Sequence, residues 1–389
     1  MTAVADLPDR VDVVIVGGGI QGLCCAYHLA ELGIRRVLVL DAGYFQGGAS
    51  GRNGTLIRGG FATAQWTGLF HFSNQQWSRL SKRLGHNVMF SRRGYSMIAE
   101  TDHTAAMFET AAEVQRRCGV RSRLLSAREL SRVLPAIDAA RVRAALHLAD
   151  GGVAPHHAAM RALLHACRDR GIRVVYRTSV TGIERVNGRA AGVLVGERRI
   201  SADTVVVAAG GHNLVLASMA NVAIAGFSMR IEAMALEPIR PLIRPAVALI
   251  DSLCYLHQTA RGEVVGGTEV PERPRMSLSV DLPVLAATAK VYATLFPQLA
   301  QLRVLRHWAG LIHATPDFGP LIGEHPDLKG LWFSAGWSYG YAGGPGAGTL
   351  LAKAIATGEI DERIRPFSLD RFDRELPVHD PAVVLASHG

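Results

Sequence analysis

The chain of 389 residues contains 49% hydrophobic and 19% charged residues, the composition of an enzyme-sized globular protein with room for two interwoven domains. Its net charge of +9 comes almost wholly from scattered arginines, which argues against nucleic-acid binding; an anionic substrate or acidic partner would also explain it. Five cysteines without a CxxC pair or metal-ligand spacing predict a reducing cytoplasm and no metal site. We expect no secretory signal and no membrane span, because no apolar run reaches the roughly 18 residues that a bilayer requires.

The N-terminal residues form a predicted strand-helix-strand unit. Hydrophobic periodicity predicts a strand over Val11–Val16, a helix over Gln21–Leu32 and a strand over Val37–Leu40. Two parallel strands need a crossover of this kind. The chain therefore begins as an α/β fold.

Later segments alternate in the same way. The predicted elements are a helix over Ala158–Arg170, a strand over Arg173–Tyr176, a hairpin turning at Gly196, a strand over Thr204–Val207, a strand over Leu331–Ser334, a glycine loop and a helix over Thr349–Thr357. Residues 85–148 and 221–315 differ in character, because the first mixes strand and helix and the second is rich in β-branched residues, proline and glycine. These two regions have the pattern of insertions.

The first motif with a chemical meaning is Gly17-x-Gly19-x-x-Gly22, which follows the first strand and opens the helix. Its glycines permit a tight turn, close approach of a pyrophosphate and close packing of helix on strand. Asp41 ends the unit and can accept hydrogen bonds from a ribose. An acid at this place favours FAD or NAD over NADP.

Three further small-residue segments favour FAD over NAD. They are Gly47–Gly54, Ala208–Gly211 and Gly336–Gly346. Each alone is typical of an ordinary turn. Ordered around one nucleotide-binding unit, they indicate backbone that lies against a large cofactor. An NAD-dependent dehydrogenase remains an alternative at this point.

We predict two domains. A Rossmann-like, glutathione-reductase-like FAD domain comprises residues 1–84, 149–220 and 316–389, and a β-rich substrate domain comprises residues 85–148 and 221–315.

The sequence resembles the D-amino-acid-oxidase-type flavoproteins, and among them the β subunits of heterotetrameric sarcosine oxidases and their relatives that oxidise opines, proline or hydroxyproline. The resemblance covers nearly the whole chain, and its most specific segments are DGGVAPHHAAMRALLHACRDRGI, RHWAGLIHATPDFGPLIG, GLWFSAGWSYGYAGGPGAG and PFSLDRF. It implies oxidation of a carbon–nitrogen bond in a small amine, imino acid or amino acid, and partner subunits in a hetero-oligomer.

The resemblance also implies roles for individual residues. Those expected to bind FAD are Gly17, Gly19, Gly22 and Asp41 at the ADP half, Ser50, Arg52 and Asn53 along the pyrophosphate or isoalloxazine edge, Val180 at the adenine, and Gly210 and Gly340 at the flavin. Arg58 falls where relatives keep an arginine near the substrate carboxylate. A guanidinium suits that task because its rigid fork bonds a carboxylate through two parallel hydrogen bonds.

Departures from the family narrow the prediction. Relatives that oxidise sarcosine have a lysine where this chain has Ala342 or Gly343, so sarcosine itself is disfavoured. The cysteine that tethers FAD in monomeric sarcosine oxidases falls near Gly310, which predicts noncovalent FAD. His156 occupies the place of the histidine that carries a second flavin, FMN, at a subunit interface. A solvated helix start is the alternative explanation for His156.

Hydride transfer to a flavin needs no protein nucleophile, so we expect the pocket to orient a neutral amine. The candidates for lining it are Tyr255, His257, His307 and Trp308, each of which could equally be a packed core residue. The predicted activity is FAD-dependent oxidation of a secondary amine or imino acid to an imine. The alternatives are a stand-alone oxidase of the glycine or D-amino-acid type and a noncatalytic flavin-binding subunit.

Overall fold

The computed structural model describes residues 6–268 and 274–383. Its helices are α1 Ile20–Glu31, α2 Ala64–Leu84, α3 Asp102–Arg117, α4 Ala127–Val133, α5 His156–Asp169, α6 Asn213–Met219, α7 Leu282–Leu295 and α8 Gly340–Thr357. Its strands are β1 Arg10–Val16, β2 Val37–Asp41, β3 Leu56–Ile57, β4 Tyr95–Ala99, β5 Ser122–Ser126, β6 Ala144–Leu148, β7 Gly152–Val153, β8 Arg173–Tyr176, β9 Gly182–Val186, β10 Arg189–Val195, β11 Arg198–Val207, β12 Phe227–Leu236, β13 Ala246–Leu249, β14 Cys254–Gln258, β15 Val264–Thr268, β16 Val304–Ala314, β17 Leu321–Glu324 and β18 Leu331–Ala335.

The first sheet is built around the predicted strand-helix-strand unit. Its strands run in the order β17-β18-β11-β1-β2-β8, with the β9–β10 hairpin attached to β11. Strand β1 pairs in parallel with both β2 and β11, and its residues from Val13 to Ile15 are buried because both faces of the sheet are covered. The carboxyl ends of the parallel strands therefore meet at one edge, where α/β folds bind their ligands.

The second sheet has the order β16-β12-β15-β14-β13-β4-β6-β5. Its strands come from residues 95–148 and 227–314, and most neighbours are antiparallel. The exact boundaries of the two predicted domains remain a prediction. In the described ranges of the chain, no helix has the length and apolar character needed to cross a bilayer.

The prediction of a glycine loop after β18 is wrong for most of its length, because α8 begins at Gly340 and includes most of that segment. Helix α8 packs on α1 so closely that a Cβ atom on Gly348 would lie 2.4 Å from Cys24 Cβ. On α2, a Cβ atom on Gly346 would lie 2.6 Å from Ser73 Cβ. The glycines are thus contact surfaces between helices, a use that local propensity does not reveal.

Candidate active site

A cavity of about 520 Å³ lies between the carboxyl edge of the first sheet and one face of the second. Backbone after β1, β2 and β11 forms one end of it, and side chains from β4, β12, β13 and β14 form the other. The residues at the second end include Tyr95, Ile231, Ala233, Ala248 and Tyr255. The cavity has the volume of a typical ligand site.

The nucleotide end of the cavity is formed by Gly17 and Asp41. Gly17 has a φ of +118°, and a Cβ atom there would lie 2.3 Å from the carbonyl oxygen of Ala208. The Asp41 carboxylate accepts hydrogen bonds from the N–H groups of Gly18 and Gly43, both at 2.7 Å. These bonds fix the carboxylate at the mouth of the glycine turn, where it can meet a ribose.

The N-terminus of α1 also faces the cavity. No side chain caps it at Gly19 and its first turn holds no acidic residue, so its partial positive charge is available to a phosphate. Ser50 Oγ accepts a hydrogen bond from the N–H of Ile20 at 2.9 Å. Gly22 does not line the cavity. A Cβ atom there would lie 1.9 Å from the carbonyl oxygen of Gly17, so the glycine at this position allows α1 to pack closely against the glycine turn.

Arg52 and Asn53 line the middle of the cavity. Arg52 donates to the carbonyl oxygens of Gly47 and Ala309, at 2.9 and 3.2 Å, and makes no ion pair within residues 6–268 and 274–383. Asn53 accepts from the N–H of Thr55 at 2.7 Å. An arginine without an acidic partner beside an open helix N-terminus suits a pyrophosphate.

The remaining predicted cofactor residues also lie at the cavity. Val180 and Gly210 line it near the nucleotide end, and Gly210 has a left-handed φ of +57°. Gly340 lines it at the start of α8, and its carbonyl oxygen accepts a hydrogen bond from Gln21 Nε2 at 2.6 Å. The glycine turn, the second loop and the start of α8 therefore surround a single space, which fits an extended dinucleotide.

Arg58 lies at the opposite end of the cavity and is only 1% exposed. Its guanidinium donates to the carbonyl oxygen of Ala382 at 2.8 Å and lies over the rings of Phe61 and Tyr339, at 3.9 and 4.7 Å from their centroids. Within the part of the chain that the structure describes, Arg58 forms no ion pair and its Nε atom has no hydrogen-bond partner. A buried cation of this kind calls for an anionic ligand.

Of the four residues predicted to line the pocket, Tyr255 lines the cavity and Trp308 does not. The two predicted catalytic residues also require correction, since neither His257 nor His307 lines the cavity. On β16, His307 lies on the sheet face opposite Trp308 and Gly310 because side chains alternate along a strand, and its Nε2 atom meets Glu232 at 2.7 Å. His257 is buried beside the cavity, where its Nε2 atom contacts Thr55 Oγ1 at 3.1 Å. We therefore withdraw both as catalytic candidates.

His313 was missed by the sequence reasoning and does line the cavity. Its Nε2 atom lies 2.9 Å from the carbonyl oxygen of Ala225, and its Nδ1 atom accepts the N–H of Gly336 at 3.1 Å. Burial lowers its pKa to about 4, so the ring is neutral and holds the loop that leads to α8. His313 and His307 share one face of β16, so only the position of His313 six residues further along the strand distinguishes it from His307.

His156 stands at the first residue of α5, outside the cavity lining. Its Nδ1 atom is buried without a hydrogen-bond partner within the described ranges, and its ring lies 4.2 Å from that of His157. Burial and the neighbouring His157 lower the pKa of His156 to about 4. The attachment of FMN to this histidine remains a prediction.

The glycine turn and the cavity continuous with it fit the class of proteins that bind a dinucleotide. The model of the DAO family, described as FAD dependent oxidoreductase, matches residues 12–354. The chain belongs to this family. The prediction of FAD as the cofactor is therefore confirmed, and the NAD alternative is set aside.

Named relatives agree with the family. The chain is 31% identical to the sarcosine oxidase subunit beta of Rhodobacter capsulatus, over 93% of this chain and 89% of that one. It is 30% identical to the same subunit from Rhizobium meliloti, over 95% and 90% of the two chains. Its fold is similar to that of the L-proline dehydrogenase from P. horikoshii, with a TM-score of 0.91, 27% identity and coverage of 95% and 99%. The predicted α/β class is confirmed.

Acidification is expected to destabilise the fold through His257. Burial, aided by the Arg93 cation 3.2 Å from Nδ1, lowers the pKa of His257 from 6.5 to about 4. The neutral ring stabilises the folded state above pH 6.5, and this contribution is lost as the pH falls towards 4. By linkage the loss is about 2 kcal/mol at pH 5.

The His257→Gln variant should lack this part of the pH dependence. Denaturant unfolding at pH 7 and pH 5, with FAD in excess, measures the difference. The His86→Gln variant serves as the control, because His86 is exposed and pairs with Asp169 at the surface. An identical pH dependence in both variants would contradict the prediction.

Proposed function

We propose that this protein oxidises the carbon–nitrogen bond of an amino or imino acid that carries a single carboxylate, using FAD. The observation that carries the proposal is Arg58, a buried guanidinium at the cavity that makes no ion pair within the described residues. A carboxylate bound there would be desolvated and held by a charge-assisted pair. The position of the substrate is then set from its carboxylate end.

The other walls of this end favour a small apolar body for the substrate. Tyr95, Ile231, Ala248 and Tyr255 line it, and among the described residues the arginines of the lining are Arg52 at the nucleotide side and Arg58. Within residues 6–268 and 274–383 no lysine lines the cavity, and Ala342 is buried at the place where sarcosine-oxidising relatives have one. A second carboxylate would lack a cation, so dicarboxylates such as opines should bind poorly.

The chain's own groups orient the reaction. Arg58 would hold the carboxylate, and its positive charge lowers the proton affinity of the adjacent amine, which must be neutral to react. Bound FAD would accept a hydride, which carries two electrons, from the C–H bond next to the nitrogen, and the carbon–nitrogen bond becomes a double bond. Apolar walls exclude water until the imine is released. Water then hydrolyses the imine in solution.

The activity is tested with a panel of proline, hydroxyproline, sarcosine, glycine and an opine, with an electron-accepting dye. We expect dye reduction with proline-like monocarboxylates and, by hydrazine trapping, a carbonyl product in equal amount. Little reduction is expected with the opine. Reduction by the opine alone would contradict the single-carboxylate site, and inactivity on every member would favour a noncatalytic flavin-binding subunit.

We further propose that the chain acts within a hetero-oligomer. Support comes from the two relatives named as β subunits, which match nearly the full length of the chain. A stand-alone oxidase of the glycine type is the rival. Light scattering on the purified chain separates the two, because an active, stable homo-oligomer that reduces oxygen without a partner would contradict the hetero-oligomer.

Acid precipitation tests how flavin is held. We expect all FAD in the supernatant, because Gly310 stands where a tethering cysteine would have to lie and lines the cavity. A yellow pellet would contradict this expectation, unless the colour is lost in the His156→Asn variant. That second result would instead assign a covalent FMN to His156.

A further inference from the structure

The C-terminal segment Val378–Val383 contacts Arg58, which lines the substrate end of the cavity. Val378, Asp380, Ala382 and Val383 are all less than 10% exposed, and the last three are fully buried. Ala382 packs in the same apolar cluster as Tyr95 and Met97 of β4, whereas Val378 and Val383 pack against the first-sheet side. The segment thus runs past Arg58 with these four residues buried, whereas His379 and Pro381 between them are exposed.

Two anchors fix the beginning of this segment. The N–H of Val378 donates to the Asp317 carboxylate at 2.8 Å, and its carbonyl oxygen accepts from Trp66 Nε1 at 2.5 Å. Asp317 in turn holds the buried Arg371 guanidinium at 2.7 Å. The path of the segment into the core is therefore set before it reaches Asp380.

Asp380 is a fully buried carboxylate that joins two pieces of backbone. It accepts hydrogen bonds from the N–H groups of Ala62 and Thr63, at 3.0 and 2.7 Å, and from Thr63 Oγ1 at 2.7 Å. It also accepts the N–H of Ala382 at 2.9 Å, closing a turn within the segment. Both pieces of backbone that Asp380 joins lie next to a contact with the Arg58 guanidinium.

Those contacts are the carbonyl oxygen of Ala382 and the ring of Phe61. The Ala382 oxygen accepts a hydrogen bond from Arg58 at 2.8 Å, and the Phe61 ring lies 3.9 Å from the guanidinium carbon. Phe61 directly precedes Ala62, so one carboxylate fixes the backbone on both sides of Arg58. In the described parts of the chain, Asp380 forms no hydrogen bond or ion pair with Arg58 itself, so Asp380 leaves the charge of the guanidinium free for a ligand.

We propose that Asp380 is a positioning residue for Arg58, and that the segment Val378–Val383 supports the substrate site through Arg58 without lining the cavity. This inference rests on the proposed function, because it assumes that Arg58 binds the substrate carboxylate. Asp380 holds the oxygen and the ring that aim the guanidinium into the cavity. Loosening either contact costs carboxylate binding while the rest of the pocket is unchanged.

The test compares two ligands that differ only in the carboxylate, pyrrole-2-carboxylate and pyrrole, titrated against the FAD-loaded protein by the change in flavin absorbance. In Asp380→Asn an amide nitrogen must face backbone N–H groups. We expect the Kd for pyrrole-2-carboxylate to rise about tenfold and the Kd for pyrrole to change less than about twofold. FAD content should stay constant.

Further variants separate the possible causes. Thr63→Val removes only the hydroxyl bond to Asp380 and should shift the carboxylate-selective affinity in the same direction by a smaller factor, which keeps the test valid if Asp380→Asn fails to fold. Asp361→Asn is the matched control, because that carboxylate pairs locally with Arg363 and does not line the cavity. We expect no selective change in the control.

The outcomes distinguish the inference from the function on which it rests. If Arg58→Gln loses carboxylate-selective binding but Asp380→Asn and Thr63→Val do not, the positioning role is wrong and the proposed function stands. If both Asp380 and Thr63 variants weaken the two ligands equally, their role is only structural. If Arg58→Gln keeps the full preference for pyrrole-2-carboxylate over pyrrole, or the unmodified protein does not prefer the carboxylate, both proposals fail.

Discussion

Replacement of Arg58 by glutamine is expected to lower kcat/KM for a monocarboxylate substrate by ~100- to 1,000-fold, which corresponds to about 3–4 kcal/mol. The guanidinium is 1% exposed and makes no ion pair in the described ranges, so its charge is available to the ligand. Glutamine cannot neutralise the carboxylate, which would then be buried unpaired. Steady-state kinetics with proline and with pyrrolidine, which lacks the carboxylate, measures the effect.

The comparison of substrates makes this prediction specific. Pyrrolidine should be a poor substrate of the unmodified protein and should lose little more in the variant. Arg58→Lys should be intermediate, because it keeps the charge and loses the planar fork. Arg170→Gln is the control, since Arg170 also lies over an aromatic ring, that of Tyr27, but not at the cavity. Equal losses on both substrates would show that Arg58 supports the fold and does not bind the carboxylate.

Replacement of Gly17 by alanine is expected to abolish most FAD binding. A Cβ atom there would lie 2.3 Å from the Ala208 carbonyl oxygen, and the φ of +118° is unfavourable for any side chain. Strain and overpacking together amount to roughly 2–5 kcal/mol, enough to lower FAD affinity by about 30-fold or more. The ratio of absorbance at the flavin and protein bands of the purified protein, with and without added FAD, gives the occupancy.

Gly33→Ala is the matched control for this variant. Gly33 also has a positive φ, +91°, but nothing lies within 4 Å of the added Cβ atom. It should lower stability by about 1–2 kcal/mol and keep its FAD. If Gly17→Ala retained FAD as well as Gly33→Ala does, the contact between the glycine turn and Ala208 would not shape the cofactor site.

The parts of the fold set by local physics were predictable. The strand-helix-strand unit was placed within one residue of the observed β1, α1 and β2, because hydrophobic periodicity and the glycine turn act over short distances. The helix near residue 158 and the strand Arg173–Tyr176 follow the same rule. The start of α8 at Gly340 was not predictable in this way, because its glycines are required by the close packing of other helices on α8.

The candidate site divides in a similar way. Glycine motifs and family resemblance pointed to residues that line the cofactor side of the cavity, and their contact with FAD remains a prediction. His313 and His307 lie on one strand, and which of them reaches the cavity depends on where β16 ends against its neighbours, which no local pattern encodes. Ala382 meets Arg58 across 324 positions of chain, so only the folded structure reveals the contact.

Reduction of FAD in this cavity by an amino or imino acid bound through Arg58 is the proposal on which the others depend. Its most direct test is the visible spectrum of the FAD-loaded protein before and after anaerobic addition of proline, alongside the Arg58→Gln variant. We predict loss of flavin absorbance in the unmodified protein and a rate at least ~100-fold lower in the variant. A flavin spectrum bleached equally fast in both proteins would contradict the account.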